Sequence, residues 1–227
     1  MILQALCAYY EALAARDEIV RVGYGKENVS YALSISWEGE LRRVISLKHE
    51  ENRGKKKVFV PERMTVSERA TRGVNIVPYF LCDKSAFFLG VDDKGNAKRT
   101  AESFQAAKAL HQGLLSGVDD PGARAICAFF ERWNPEEAKS NPALADAYEE
   151  VQEGAMLIFF LPDGTYAHER PAIDTVFSAY ALAQADTGGE RMRCLVTGEE
   201  GQPIALVHNK IKGIYGGAGH GVEPRKF

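Results

Sequence analysis

Five cations, Arg53, Lys55, Lys56, Lys57 and Arg63, fall within the stretch ENRGKKKVFVPERM at 51–64, in a 227-residue chain whose formal net charge is −3. Residues 48–72 hold eight basic side chains against four acidic ones, a local balance of +4, so the rest of the chain carries −7. Lysine and arginine neutralise phosphates and release condensed counterions, and a basic loop can follow a backbone without reading bases. An acidic body with one basic segment suits a single surface that meets a polyanion. A solvated basic loop with no partner explains the same residues more plainly. Beside it, RGVNIVPYF at 72–80 supplies Arg72, Gly73, Asn75, Pro78 and Tyr79. An amide can read base or groove edges, and a proline or aromatic ring can wedge a base step open. Equally, Pro78 can make only a turn and Tyr79 can be core.

Other chemistries find less support. No GxSxG elbow presents a nucleophile. The five histidines (His49, His111, His168, His208, His220) form no HExxH or HxH pair, and Glu136-Glu137 and Glu149-Glu150 read as solvated helix faces. GGAGHG at 216–221 lacks the GK[ST] ending of a phosphate loop. In DDKGN at 92–96 the glycine and glutamate offsets are wrong for an EF-hand. Cys7, Cys82, Cys127 and Cys194 stand far apart without zinc-ligand spacing. The expectation is therefore no catalytic residue, no metal, no cofactor and no disulfide, hence no enzyme. The first apolar stretch is broken by Gln4, Tyr9, Tyr10 and Glu11, which argues against a signal peptide or membrane span. A reducing cytoplasm fits best.

The elements that must position these residues follow from periodicity. Ile2, Leu6, Tyr9, Tyr10 and Leu13 form a helical stripe, predicted to pack against the body with Cys7 inside it. VSYALSISW at 29–37 alternates as a half-buried antiparallel strand, with LRRVISL at 41–47 as its hairpin partner. KVFVP at 57–61 and two short runs in FLCDKSAFFLGV at 80–91 add strands. From Thr100 the chain becomes alanine-rich and helix-periodic, with Thr100 and Asp119 or Asp120 as N-caps. PALADAYEEVQ reads as a third helix, AMLIFFL at 155–161 as a central strand buried on both faces, and Pro171 as the opening of a further helix. CLVT and PIALVH close the pattern as a hairpin. The predicted class is α+β: antiparallel strands in hairpins with a helical block inserted between strand groups.

MILQAL at the start, the strand VSYALSI, NIVPYFLCDKSAFFLGVDDKG, HERPA at 168–172 and CLVTGEEGQPIALVHNKIKG at 194–213 fall in order along nearly the whole chain. Together they resemble the large signature subunit of the subtype I-C CRISPR Cascade complex, of which 1–227 corresponds to the N-terminal domain, with the C-terminal helical part absent. A subdivision into a strand-rich DNA-contacting part (1–98) and a helical block plus hairpin (99–227) goes with it. The resemblance implies a non-enzymatic subunit that recognises the protospacer-adjacent motif on double-stranded DNA and helps open it for guide RNA pairing. Its implied partners are the subunits of the guide RNA ribonucleoprotein and the nuclease-helicase that the complex recruits. The residues placed at DNA are Arg53, Lys55, Lys56 and Lys57 for phosphates, Arg72, Gly73, Asn75, Pro78 and Tyr79 for motif reading or strand separation, and Arg63 as a further DNA-binding residue. The family commonly has asparagine after the proline, where this chain has Tyr79. Either Asn75 substitutes for that amide or the motif is read differently. The rival from another class is a protein-interaction scaffold that docks partner subunits or guide RNA without reading DNA sequence.

Overall fold

Helix α1 (Ile2–Ala14) precedes seven strands: β1 (Tyr24–Val29), β2 (Tyr31–Ile35), β3 (Leu41–Ser46), β4 (His49–Arg53), β5 (Lys56–Val60), β6 (Glu62–Ser67) and β7 (Cys82–Lys84). A short helix α2 (Ser85–Phe88) leads into α3 (Ala97–Leu115), α4 (Pro121–Arg132) and α5 (Tyr148–Gln152). Then come β8 (Met156–Phe160), α6 (Pro171–Ala185), β9 (Arg191–Met192) and β10 (Gln202–Pro203). The computed structural model describes residues 2–16, 18–20, 23–54, 56–68, 72, 74–185 and 190–203. The α+β class holds, with a helical block between strand groups. Contacts group Tyr10–Gln184 as one unit, and residues 1–9 with 185–227 as another.

In the larger unit a four-stranded sheet runs β3-β2-β8-β7, antiparallel except where β2 lies parallel to β8. Side chains alternate across β8: Leu157 and Phe159 join the helical core, whereas Ile158 joins a second cluster with Val29, Ala32, Val66 and Cys82. That second cluster packs the β1–β6 antiparallel ribbon onto the sheet's other face. Both faces being covered explains why AMLIFFL is apolar throughout. The helical side is aromatic, with Phe88, Phe129, Phe130 and Phe159 fully buried, each side chain worth about 3–5 kcal/mol against alanine. Gly39, at φ +82°, makes the β2–β3 turn where an added Cβ would lie 2.3 Å from the Phe129 amide nitrogen.

Asp120 caps α4 by accepting from the Gly122 and Ala123 N–H groups. It also holds the Arg170 guanidinium at 2.8 Å. HERPA is thereby a joint: Arg170 ties α4 to the turn before α6, and Pro171 opens α6 at its first position. Burial opposes ionisation of Asp120, yet Arg170 and the two backbone donors outweigh it and hold the carboxyl below its ordinary range. In the smaller unit the amide of Gln4 donates to the Val196 carbonyl at 3.0 Å, and β9 pairs with β10. The predicted strand PIALVH from residue 204 onward, and GGAGHG, lie outside the described residues.

Several expectations change. Helix α1 forms, but within it Ile2, Leu6, Tyr9 and Cys7 are exposed. The strand predicted as half-buried is covered on both faces, with Tyr31, Leu33 and Ile35 in the helical core and Ala32 in the second cluster, and β8 pairs with it in parallel. The second run of FLCDKSAFFLGV is helical. The pairing of β7 ends where β8 begins, at Lys84↔Met156, so the next residues satisfy their backbone locally, as in Leu89 N–H to Ser85 C=O at 2.8 Å. Asn96, not Thr100, caps α3, since its side chain reaches the Arg99 N–H first. Of PALADAYEEVQ only Tyr148–Gln152 is α-helical. Position 98/99 falls inside α3, and residues on both sides of it share one core.

Candidate nucleic-acid interface

The basic segment folds as a β-hairpin. Strands β4 and β5 pair from His49↔Val60 to Arg53↔Lys56, with two positions, 54 and 55, between them in the chain. Gly54 has φ +65°, the left-handed backbone that so short a connection demands. Among the described residues this hairpin pairs with no third strand, and two strands alone are marginal in water. Register puts Lys57, Asn52, Glu50 and Phe59 on one face and Val58 and Val60 on the other. The two valines are half-buried, and Phe59 is 71% exposed beside Lys57. Lys56 is exposed, and Lys57 is too, but its ammonium lies 2.6 Å from the Glu50 carboxylate. Arg53 closes β4 by its backbone; its side chain and the whole of Lys55 lie outside the described residues.

The neighbouring loop is closed by an internal lock. Asp83, fully buried at the centre of β7, accepts from the Arg72 guanidinium, from Tyr79 N–H at 2.8 Å and from Lys84 N–H at 2.7 Å. Arg72 Nε also donates to the Val77 carbonyl at 2.6 Å. Its guanidinium lies between two rings, 3.7 Å from the centroid of Tyr79 and 3.8 Å from that of Phe87. Burial pushes the Asp83 carboxyl up, while Arg72 and the backbone donors pull against it. Arg72 is therefore committed to shaping the loop, and Tyr79, 8% exposed, lies in the core rather than as a wedge. The loop's outer surface comes from Val74, Asn75 and Val77, all exposed, with Pro78 half-buried; Gly73 lies outside the described residues.

A second device anchors the far end of the loop. Leu81 has φ +57°, a left-handed conformation that is strained for a side-chain-bearing residue. Its N–H donates to Nε2 of the buried His111 on α3 at 3.0 Å, so Nδ1 carries the hydrogen and bonds the Ala107 carbonyl at 2.7 Å. The imidazole stacks on Phe130, with ring centroids 4.7 Å apart. Burial pushes His111 down to about 4, so it is neutral at physiological pH.

Arg63 stands apart from the hairpin's own pairing, on the β1–β6 ribbon. Register places it opposite Asn28, with Lys26↔Thr65 as the next pair on the same exposed face. Arg63 and Lys26 are diagonal neighbours there, at roughly 7–8 Å for such positions. Among the described residues no carboxylate pairs with Arg63 or Lys56, whereas Lys48 is held by Glu150 and lies over the Tyr31 ring. Lys48 and the Tyr31 hydroxyl in turn hold Glu150 below its usual range. Arg63 also lines a cleft of about 500 Å³ shared with His168, Glu169 and Asp174, where carboxylates outnumber cations and phosphate is disfavoured.

The basic segment is thus divided. Lys56, Lys57 and Arg63 are solvent-facing, Arg72 and Lys48 are spent internally, and Asn75 alone of the amide and aromatic readers is presented. Two residues went unnoticed in the sequence. Phe59 was signalled by the period of two in KKVFV, which sets it with Lys57 and apart from the valines. Lys26 carried no local signal, because β1 and β6 are remote in the chain.

No helix among the described residues is long and apolar enough to cross a membrane, and no group of three or more His, Cys, Asp or Glu among them is placed to hold a metal ion. No curated protein matches the chain. The family model described as CRISPR-associated protein (Cas_Csd1) matches residues 6–223. The order of the motifs from the first helix to the glycine-rich end agrees with that span, and the chain belongs to the Cas_Csd1 family of CRISPR-associated proteins.

Proposed function

We propose that this chain is the DNA-recognising part of the large subunit of a subtype I-C Cascade complex. In this role it binds duplex DNA at the protospacer-adjacent motif, helps part the strands for guide RNA pairing, and leaves bond cleavage to a recruited nuclease-helicase. The observation that carries it is the β4–β5 hairpin, which presents Lys57 beside an exposed Phe59 on one face and an exposed Lys56 on the other. Cations that hold the backbone next to an aromatic ring able to enter a base step are the two parts a strand-opening element requires. Asn75, on the loop pinned by Arg72 and Asp83, is the amide placed to read a base edge. A rigid loop suits such reading, since a direct base contact tolerates little misplacement.

The scaffold alternative draws on a specific observation too: Lys48, Lys57 and Arg72 are all paired with carboxylates of this chain. One titration separates the two. Duplexes with varied motif are bound to the full chain and to Lys56→Ala/Arg63→Ala at two salt concentrations, with and without magnesium. Motif-dependent binding that weakens in the variant and with salt supports DNA recognition. Absence of duplex binding with retained binding of guide RNA or partner subunits overturns it in favour of the scaffold, and magnesium-dependent cleavage overturns the non-enzymatic assignment.

A further inference from the structure

A second basic surface lies outside the 48–72 segment. Lys84, Lys94 and Arg99 wall an open cleft of about 400 Å³ that Arg72 and Phe87 also line. All three are exposed, and among the described residues none has a carboxylate partner. Asp92 is the one acidic residue in the lining. Its Oδ1 is engaged with the Lys94 N–H at 2.8 Å, fixing the turn that carries that lysine. Asn96 does the same for Arg99, accepting its N–H at 3.1 Å, while the Thr100 hydroxyl bonds the Asn96 carbonyl. The cations therefore stand on braced backbone rather than on a free loop.

We propose that this cleft is a phosphate-backbone subsite that takes the phosphodiester chain of a nucleic acid strand beside the Arg72-pinned loop. Concentrating three free cations in a chain of net charge −3 raises the local potential for a polyanion. The cleft holds backbone and does not read bases, because its one aromatic wall, Phe87, is 7% exposed and already covered by the Arg72 guanidinium. No face is left for a base to stack on. Arg72 is the shared wall: it shapes the Asn75 loop on one side and lines the cleft on the other, so a strand leaving the loop meets Lys84, Lys94 and Arg99 next. This subsite rests on the nucleic-acid reading above but uses none of the hairpin residues.

The test titrates the full chain with fluorescent duplex DNA, single-stranded DNA and single-stranded RNA of one sequence, plus poly-glutamate, comparing wild type with Lys94→Ala/Arg99→Ala and with Lys56→Ala/Arg63→Ala. Removing two phosphate contacts should lower the salt slope by about 1.8 on duplex and about 1.4 on a single strand. On duplex, the loss in affinity should be about tenfold larger at 50 than at 200 mM salt. The effect should be uniform across sequences, and the arm that shows it identifies the strand type. An unchanged slope in every nucleic-acid arm, with the Lys56→Ala/Arg63→Ala variant still impaired, overturns the cleft and leaves the proposed function standing. Binding of poly-glutamate alone overturns both. Thermal melts check that the variants fold; if the double variant does not, Lys84→Gln, at an exposed strand end, must lower the slope by about 0.9 or the cleft is rejected.

Discussion

Lowering pH should loosen the loop that carries Asn75, through His111. The imidazole is fully buried among Phe80, Phe88, Phe130 and Phe159, and its unprotonated Nε2 receives the N–H of Leu81. Adding a proton there would bury a charge and set two donors against each other, so burial drives its titration from 6.5 down to about 4. Between those values the unfolded chain binds a proton that the folded chain refuses. Stability therefore rises with pH through this window, and is lost as pH falls from about 6.5 towards 4. At pH 5 the loss is about 2 kcal/mol, approaching about 3 kcal/mol at the lower end, from 1.36 kcal/mol per pH unit of displacement. Urea unfolding of the full chain at pH 7 and pH 5 measures it, with His111→Gln as reference. Glutamine can accept the Leu81 N–H but cannot titrate. Asp120 and Glu150, both held below their ordinary range, also lose stabilisation as pH falls, but equally in the two proteins. The wild type should lose about 2 kcal/mol more than the variant between the two pH values. Parallel losses would refute the idea that His111 is held neutral by burial.

Breaking the lock directly should cost more than any surface change: Arg72→Ala leaves Asp83 buried without its cation and is expected to destabilise by about 3–5 kcal/mol in urea melts. A loss under about 1 kcal/mol would show the pair to be dispensable. Glu50→Gln should release Lys57 and steepen the salt dependence of duplex binding by about 0.9, whereas an unchanged slope would mean that Lys57 never reaches a phosphate. Phe59→Ala should alter stability by less than about 0.5 kcal/mol, since the ring is exposed, yet reduce unstacking of a fluorescent adenine analogue placed beside the motif. Equal unstacking would remove Phe59 from strand opening. Gly39→Ala should cost about 3 kcal/mol from left-handed strain and collision with the Phe129 backbone, read as a lowered denaturation midpoint.

What the sequence determined by itself is whatever depends on neighbours along the chain. Asp120-Pro121 and Pro171 mark helix starts because capping and a preset φ act within one turn. AMLIFFL declares a strand covered on both faces, since apolar residues on both sides of a pleat admit no solvent face. The order of several motifs likewise pointed to a CRISPR-associated family. Which cations are available was decided only by tertiary structure. Lys48 meets Glu150, Arg72 meets Asp83, and Lys84, Lys94 and Arg99 assemble one cleft, through contacts between residues that local patterning does not connect. Charge counted along a chain ignores distance in space, and the energy of a cation depends on the carboxylates within a few ångströms of it. The same reason buried Tyr79 and exposed Phe59: an aromatic ring in a sequence has no side, and only the sheet register and the layers packed on it supply one.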